Sequence, residues 1–274
     1  MSVSPTEFLF IKELLKEETA IVLDPGKEYL VDTRLAPIVR ANGLESVSAL
    51  ISAIKIDTNE PLKRKVIEAL TTNETSFFRD LEPFEVLRTV ILPDLLERRK
   101  AIKTINIWCA ASSTGQEPYS IAMLVKECIP ASLGFTVKIF ATDIATHVLE
   151  KARAGKFSQH EVNRGLPAPY LVKYFTKKNN DWVLKDEIRN MVQFSELNLI
   201  KPFSGLPPMD VVFIRNVLIY FDLETKRDIL GRVRRTLRSD GYMFLGSAET
   251  TLSIDDQFTR APCQRGSCFC LAQR

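Results

Sequence analysis

Residues 1–70 carry apolar side chains at the three- and four-residue spacing of amphipathic helices. Ser4-Pro5-Thr6-Glu7 has the form of a capping box with proline at the first helical position, and the helix that it opens is predicted to run to about Glu18. Further helical patterns cover 27–41, 45–56 and 60–70. Because no strand pattern competes with them, residues 1–70 are predicted to form a small all-helical domain.

A polar linker is predicted at 71–80, and the pattern changes after it. A helix is expected at 81–99, and apolar runs of strand length then alternate with helical patterns. The strands are predicted at 104–110, 137–142, 191–196, 210–215 and 241–246, and the later helices at 117–128, 145–154 and 223–238. This alternation favours a doubly wound α/β domain over 81–274, with a mainly parallel sheet and helices on both faces.

Two stretches depart from the alternation. Residues 155–190 hold several aromatic side chains around the polar turn 177–181, and the second half of this insertion is predicted to be a β-hairpin. Residues 257–273, with a turn at 264–266, are predicted to close the sheet as an antiparallel hairpin. The expected fold is a Rossmann-like α/β domain with a small β insertion, preceded by the all-α domain.

Composition narrows the classes of protein to consider. The chain has 274 residues, 45% of them hydrophobic and 26% charged, and no apolar run is long enough to span a bilayer. The N-terminus lacks the basic start and apolar core of a signal peptide, and an odd number of cysteines, five, favours a reducing cytoplasm. A net charge of +3 is not the footprint of a nucleic-acid-binding protein.

The most informative segment joins the strand at 104–110 to the helix that follows it. A small-residue turn, Ala111 to Gly115, leads into Glu117-Pro118, and Asp143 ends the next strand. In doubly wound sheets such a turn binds nucleotide-like ligands, and an acid at this position can accept hydrogen bonds from ribose hydroxyls. Because the turn has one glycine where a dinucleotide pyrophosphate requires three, S-adenosylmethionine fits better. The alternatives are a helix N-cap for Asp143 and a first-turn acid favoured by the helix dipole for Glu117.

Segments 73–80, 195–199 and 215–221 lie in the linker or at predicted strand ends, so they are expected to converge on the same crevice. The strings NETSFFR, WCAASSTGQEPYS, ATDI, ELNL and IRNVLIYF, in this order and spacing, resemble the CheR family of chemotaxis receptor methyltransferases. The resemblance covers essentially the whole chain. It implies methyl transfer from S-adenosylmethionine to glutamate side chains of chemoreceptors, which yields glutamyl methyl esters and S-adenosylhomocysteine.

The resemblance also implies roles for individual residues. Cofactor contacts fall on Asn73, Thr75, Arg79, Glu117, Asp143, Asn198, Leu199, Arg215 and Asn216. Arg79 is in addition the candidate for orienting the substrate carboxylate, and Tyr220 corresponds to an aromatic at the methyl-transfer site, with a core tyrosine as the alternative. No metal is expected, because Cys263, Cys268 and Cys270 lack a fourth ligand at motif spacing and are interpreted as packing residues.

The substrate side of the protein is assigned to the helical domain. Lys27, Arg34 and Arg40 lie roughly seven residues apart along one helical pattern and are predicted to share a face. Such a basic face would dock on the acidic helical bundle of a chemoreceptor, and a solvated helix face is the alternative. The expected protein is a cytoplasmic monomer that binds no nucleic acid and does not insert into the membrane.

Some members of the family are tethered to the receptor. They use a glycine-rich loop in the inserted hairpin to grip a short C-terminal peptide of the receptor as an added strand. The matching segment here, 176–184, contains no glycine, so this protein is predicted to work without the tether. Two other functions stay open at this point: a methyltransferase of the same fold with another substrate, and a cofactor-binding signalling module without turnover.

Overall fold

A computed structural model describes residues 3–56, 59–262 and 267–272 of the chain. The protein divides into two compact units, one formed by Met1–Thr72 with Tyr220–Thr225 and the other by Asn73–Ile219 with Lys226–Arg274. Each unit has a hydrophobic core of its own. None of the described helices is both long enough and apolar enough to cross a membrane.

Helices account for the regular structure that is described in the N-terminal segment. They are α1 (Pro5–Thr19), α2 (Glu28–Ala41), α3 (Val47–Lys55) and α4 (Glu60–Leu70). The predicted capping box opens α1, because the Glu7 amide donates to Ser4 Oγ at 3.3 Å and the Ser4 amide donates to Glu7 Oε2 at 2.8 Å. Ile11, Val31 and Leu50 are fully buried, so the apolar faces meet in one core as the helical periodicity predicts.

A π-helical turn interrupts the helix predicted at 81–99. The structure has α5 (Glu82–Val86), the π-helical turn Leu87–Ile91 and α6 (Leu92–Arg98). Pro93 has no amide hydrogen to donate to the carbonyl four residues earlier, and its ring crowds that carbonyl. The hydrogen-bond ladder therefore widens, and the Leu92 amide donates to the Leu87 carbonyl.

The second unit contains the strands. They are β1 (Thr104–Ala110), β2 (Thr136–Asp143), β3 (Lys156–Ser158), β4 (Phe175–Lys178), β5 (Asp181–Leu184), β6 (Val192–Glu196), β7 (Met209–Ile214), β8 (Leu237–Phe244), β9 (Phe258–Arg260) and β10 (Cys268–Leu271). The helices of this part of the chain are α7 (Gln116–Cys128), α8 (Thr146–Ala154), α9 (Gln159–Asn163), α10 (Ala168–Tyr174), α11 (Asp186–Arg189) and α12 (Leu223–Thr236).

The main sheet, as far as the chain is described, has the strand order β6-β2-β1-β7-β8-β10-β9. The strands from β6 to β8 are parallel, and β10 is antiparallel to both β8 and β9. The chain runs outward from β1 through β2 to β6 and then crosses to β7 on the other side of β1. Strand order therefore reverses between β1 and β7, and ligands of such sheets bind beyond the carboxyl ends of the strands at this reversal. The predicted α/β fold is confirmed.

The insertion forms a separate small sheet, which lies wholly within the described residues and has the order β3-β5-β4. The predicted hairpin is β4 and β5, in which Lys178 pairs with Asp181 across the turn at 179–180. The sequence does not predict β3, because three residues are too few to show an alternation; it pairs with β5 through Phe157 and Trp182. The predicted C-terminal hairpin is β9 and β10, and its turn at 264–266 lies outside the described residues, as does Cys263.

Buried charges cross-link the amino-terminal end of the main sheet. Asp210 is fully buried, and its carboxylate accepts hydrogen bonds from Arg99 Nε at 2.6 Å and from the Asn106 amide at 2.7 Å. Arg99 also forms a bidentate pair with Asp240, with N···O distances of 2.7 and 2.8 Å, and this pairing lowers the pKa of Asp240. The network fixes α6 against β1, β7 and β8 at the end of the sheet opposite the crevice.

Candidate active site

The turn that follows β1 carries unusual backbone conformations. Ala111, Ser113 and Gly115 have φ values of 52°, 49° and 93°, in the left-handed region that favours glycine. A Cβ on Gly115 would lie 3.0 Å from the Ala152 Cβ and 3.1 Å from Tyr119 Cε2, so the turn is pressed against α8 and α7. The single glycine of the motif is therefore required for two reasons: the positive φ angle and the close packing against α7 and α8.

Asp143 ends β2 beside this turn and is 5% exposed. Its carboxylate accepts hydrogen bonds from the Ser113 amide at 2.8 Å and from the Ala145 amide at 3.0 Å. Burial raises the pKa of Asp143, and the backbone hydrogen bonds oppose that rise. The residue at the N-cap of α8 is Ala145, so the helix-cap alternative for Asp143 does not hold. The carboxylate instead ties the turn after β1 to the turn after β2.

The linker 73–80 lies against α7 and the β1 turn. The Asn73 carbonyl accepts a hydrogen bond from Ser113 Oγ at 2.7 Å, and the Phe78 amide donates to Ser120 Oγ at 3.0 Å. Phe77 is fully buried, with its ring centroid 5.0 Å from that of Phe157 in the insertion. Both phenylalanines of the motif, Phe77 and Phe78, are therefore packing residues of the core.

Arg215 is the central electrostatic contact of the crevice. Its side chain is 1% exposed, and its guanidinium donates to Glu117 Oε2 at 2.6 Å and to Asp80 Oδ2 at 2.7 Å. It also donates to the Arg79 carbonyl at 3.0 Å. The side chain of Arg215 thus clamps the end of β7 to α7 and to the linker, a role that sequence reasoning did not assign.

Glu117 lies at the start of α7 and is largely buried. Burial raises the pKa of Glu117, while Arg215 and, more weakly, Arg79 oppose that rise. A carboxylate in this position needs cationic neighbours to remain ionised. Its ion pair with Arg215 makes Glu117 more than the simple first-turn acid considered from sequence, because the pair joins the start of α7 to the end of β7.

The loop after β6 reaches the same edge. The Leu197 amide donates to the Asp143 carbonyl at 3.0 Å, which sets this loop beside β2. Asn198 Oδ1 accepts from the Ile200 amide at 3.2 Å. Leu199 is buried, and its carbonyl accepts from Arg232 at 2.6 Å, which holds the backbone of this loop.

Glu249 is a residue of this region that sequence reasoning missed. It is 9% exposed and accepts hydrogen bonds from the backbone amides that follow β7, beginning with Asn216 at 2.8 Å. Asn216 itself has a φ of 58°. The available signal was an acid within the small-residue segment 246–249 just beyond a strand end, the same pattern that singled out Asp143.

Thr75 and Tyr220 are the other two residues predicted for the active site. Thr75 is half-buried in the linker. Tyr220 is half-buried and belongs with residues 221–225 to the first unit, where its carbonyl accepts from the Val22 amide at 2.9 Å.

The basic residues of α2 do not share one face. The six steps from Arg34 to Arg40 turn the helix by about 600°, which leaves the two side chains about 120° apart. Arg34 donates to the Leu70 and Thr71 carbonyls at 2.6 and 3.2 Å, so its guanidinium is bonded to the carboxyl end of α4. Arg40 is exposed, and Lys27 is the half-buried N-cap residue of α2.

The crevice has the chemistry to hold S-adenosylmethionine. That molecule presents two ribose hydroxyls and an amino group as donors and carries positive charge on sulfur. A carboxylate offers about four acceptor positions, and the two bonds of Asp143 to backbone amides leave capacity for further donors. Ser112 Oγ is buried and makes no hydrogen bond within the described part of the chain. An acceptor-rich site with acids at two strand ends therefore suits a cationic ligand that bears hydroxyls.

Comparison with known proteins agrees with this chemistry. The model of the CheR methyltransferase SAM binding domain matches residues 73–267, and that of the CheR methyltransferase all-alpha domain matches residues 6–71. Chemotaxis protein methyltransferase 1 of Pseudomonas aeruginosa is 39% identical over 270 residues, which cover 97% of this chain and 98% of that protein. Chemotaxis protein methyltransferase Cher2 of Pseudomonas putida is 36% identical over 270 residues, with the same coverage. The chemotaxis protein methyltransferase of Escherichia coli is 34% identical over 264 residues, which cover 94% of this chain and 89% of that protein. The chain therefore belongs to the CheR methyltransferase family.

Proposed function

We propose that this protein transfers the methyl group of S-adenosylmethionine to glutamate side chains of chemoreceptors and forms glutamyl methyl esters. The observation that carries the proposal is the acceptor-lined crevice at the strand reversal between β1 and β7, within a chain that matches the family's SAM binding domain over 73–267. The relatives named as chemotaxis protein methyltransferases support a receptor substrate.

The reaction asks little acid–base chemistry of the protein. A glutamate side chain has an ordinary pKa of about 4.3, so at neutral pH the nucleophile is already a carboxylate and needs no general base. When bound, S-adenosylmethionine supplies a methyl group on a sulfonium that is already activated. The residues of the crevice then have to align the reacting groups, and positioning of this kind can lower a barrier by about 7–11 kcal/mol.

Arg79 is the candidate for orienting the substrate carboxylate. Its side chain is half-buried and donates to the Glu74 carbonyl at 3.3 Å, while its own carbonyl is held by Arg215. A guanidinium has five N–H donors in a planar fork that matches a carboxylate, so a backbone fixed by Arg215 presents these donors from a defined position. Tyr220 is proposed as the aromatic at the transfer site on the strength of the family motif.

We propose further that the protein works without a receptor tether. The hairpin of β4 and β5 turns through 179–180, with Asn179 at a φ of 54°, and its strand pairs continue up to Lys178 and Asp181. A two-residue turn without glycine has neither the length nor the open backbone of a loop that cradles an added strand. Lys177 Nζ lies 5.6 Å from the centre of the Trp182 ring, so these two side chains of the hairpin pair with each other.

The central experiment incubates the protein with labelled S-adenosylmethionine and receptor-containing membranes of the source organism. Glutamyl methyl esters release labelled methanol in mild base, whereas methylated nitrogen does not. Base-labile label on the receptor band supports the proposal. Stable label would indicate another substrate, and cofactor binding without transfer would indicate a signalling module, so either result contradicts the proposal.

The tether is tested separately by calorimetry with the C-terminal pentapeptides of the receptors. We expect no measurable heat, while methylation of the same receptors truncated by five residues proceeds at the full rate. A micromolar dissociation constant, or loss of methylation on truncation, would show that the tether is used.

A further inference from the structure

The backbone that follows β7 is organised around one buried carboxylate. Glu249 Oε1 accepts hydrogen bonds from the amides of Val217 at 2.9 Å, Leu218 at 2.7 Å and Ile219 at 3.3 Å. Glu249 Oε2 accepts from the amides of Asn216 at 2.8 Å and Gly246 at 2.7 Å. The side chain thus binds consecutive amides of one turn and an amide of its own loop.

Consecutive backbone amides whose N–H groups point in the same direction form a concave site that can bind an anion. The amides of 216–219 precede and open the 3₁₀ turn Leu218–Tyr220, where a helical end leaves its N–H groups without partners inside the helix. Side by side they create a positive patch that attracts an anion. Glu249 fills this patch from within the protein, and it also lies near enough to Glu117 for its charge to raise the pKa of that residue.

The packing leaves this carboxylate little freedom. A Cβ on Gly246 would lie 2.6 Å from Asn216 Nδ2, 2.8 Å from Glu249 Oε2 and 2.9 Å from the Asn216 amide nitrogen. Real Cβ atoms essentially never approach other atoms so closely, so only glycine allows the two loops to meet here. The Asn216 backbone is also left-handed, a conformation that persists when surrounding contacts hold it.

We propose that Glu249 is a positioning residue for methyl transfer. It fixes the turn 216–219 between Arg215, which clamps the linker and α7, and Tyr220, the next residue of the chain. By occupying the amides itself, it also denies them to the substrate carboxylate, which must then be oriented by side chains. This inference rests on the proposed glutamate methylation. A turn held in this way contributes to kcat through alignment. Of the cofactor contacts assigned from the sequence, only Asn216 lies on this turn, and Asp143 lies on another strand.

The test compares Glu249→Gln with wild type in the receptor methylation assay. The amide keeps the size of the side chain but directs an NH₂ group at backbone donors. We expect kcat to fall between about 10- and 100-fold, as for a misplacement on the order of 1 Å, with S-adenosylhomocysteine affinity within about threefold of wild type. Hydrogen exchange of the 216–219 amides should accelerate in the variant.

Asp255→Asn is the matched control. Asp255 lies in the same unit, its side chain is 10% exposed, and it accepts from the Gln257 amide at 3.0 Å while facing Arg234 in the last turn of α12. This variant should lose thermal stability yet keep kcat. Gly246→Ala is a second test for the case in which the glutamine variant does not fold. It displaces the Glu249 carboxylate without removing its charge, and it should lower kcat in the same way.

The outcomes separate the two proposals. Wild-type protein that transfers no base-labile methyl group to receptors would contradict the proposed function itself. With an active wild type, a folded Glu249→Gln or Gly246→Ala variant that retains kcat would overturn the positioning role. An equal loss of kcat in Asp255→Asn would also overturn the positioning role, because the loss would then reflect lower stability of the protein and not displacement of the turn 216–219.

Discussion

At the scale of single residues, left-handed backbone recurs around the crevice. Phe78 and Asp80 in the linker, Ala111 and Ser113 after β1, and Asn216 after β7 all have φ values between 47° and 70°. Each such residue costs about 1–3 kcal/mol and persists only where its surroundings hold it. The contacts that hold them here are those of Ser120, Asp143, Arg215 and Glu249. Strain and side-chain clamps therefore occur together at the site.

The first prediction concerns Asp143, whose charge we expect to hold the cofactor ribose. Asp143→Asn should weaken S-adenosylhomocysteine binding by about 1.5–3 kcal/mol at neutral pH, since hydrogen bonds to a charged acceptor are lost. The asparagine keeps one oxygen for the backbone amides, so the turn after β1 is disturbed less than by alanine. Calorimetry that shows unchanged affinity would remove Asp143 from the site.

The pH dependence of binding gives an independent check of the same residue. Burial raises the pKa of Asp143 in the folded protein, so the ionised carboxylate lowers the stability of the protein without cofactor. This loss of stability develops as the pH rises from the pKa of the unfolded state to that of the folded state. A ligand that donates to the carboxylate favours the ionised form. Affinity should therefore rise with pH through the folded pKa, with a smaller rise in Asp143→Asn, where Glu117 remains as a crevice carboxylate with a raised pKa.

The second prediction concerns Arg79. Arg79→Lys keeps the positive charge but loses the planar fork, so we expect kcat to fall about 10- to 100-fold, the equivalent of about one charge-assisted hydrogen bond. Arg88→Lys, at an exposed pair with Glu85, is the control and should retain full activity. Full turnover by Arg79→Lys at saturating cofactor would rule out an orienting role.

At the scale of elements, the insertion supports the linker. The Arg164 guanidinium pairs with Glu74 at 2.8 Å, and Gly165 comes so close to the linker that a Cβ there would lie 2.0 Å from the Phe77 carbonyl oxygen. Phe175 of β4 packs on Phe77 with ring centroids 5.8 Å apart. The small sheet therefore supports the site, because it packs behind the segment that carries Arg79.

The third prediction tests this support with a pair of glycines. Gly165 and Gly205 have φ values of 86° and 85°, but a Cβ on Gly205 would meet nothing within 4 Å. Alanine at either position bears the same left-handed strain, whereas Gly165→Ala must also displace the linker, at an added cost of about 1–3 kcal/mol. We expect a lower thermal midpoint and weaker S-adenosylhomocysteine binding in Gly165→Ala than in Gly205→Ala. Equal behaviour of the two would show that the linker does not depend on the insertion.

At the scale of the whole molecule, the proposed docking on a receptor assigns a surface to the helical unit. Of the basic residues assigned to docking, Arg34 is bonded to Leu70, Thr71 and Thr72 at the end of α4, where a cation also suits the helix dipole. It therefore contributes to the fold of the unit. Arg40 is exposed, and Lys27 is half-buried at the other end of α2, so a receptor would meet them at separate points.

The fourth prediction follows from that difference. Charge reversal at Lys27 and Arg40 together should lower the rate of receptor methylation, most strongly at low salt, and leave S-adenosylhomocysteine affinity unchanged. Arg34→Ala should instead lower the free energy of unfolding by about 1 kcal/mol, because hydrogen bonds at the end of α4 are lost. If the double variant methylates receptors at the wild-type rate at all salt concentrations, the basic residues of α2 have no docking role and belong to a solvated helix face.

The sequence by itself determined the order and type of most elements. The strand at 104–110 and the helix at 60–70 match their predicted bounds, because long apolar runs and clear periodicity dominate there. The start of β8 shows the limit: the strand begins at Leu237 instead of 241. Leu237 pairs with Met209, and the ladder with β7 is then irregular until Tyr242 pairs with Val211, which no local pattern shows. The family, and with it the candidate cofactor residues, also followed from local strings.

Only the tertiary structure decided which side chains act on one another. The Arg215 clamp joins residues 135 and 98 positions away in the chain, and the contacts of Glu249 join residues about 30 positions apart. No local pattern encodes such pairs, because they depend on which strand ends the reversal of the sheet brings together. The sequence predicted a docking role for Arg34 for the same reason. In the structure its guanidinium donates to a carbonyl at the end of α4, 36 positions away. Periodicity determines which face of an element is buried, whereas the partner of a charge is decided by what the fold sets opposite it.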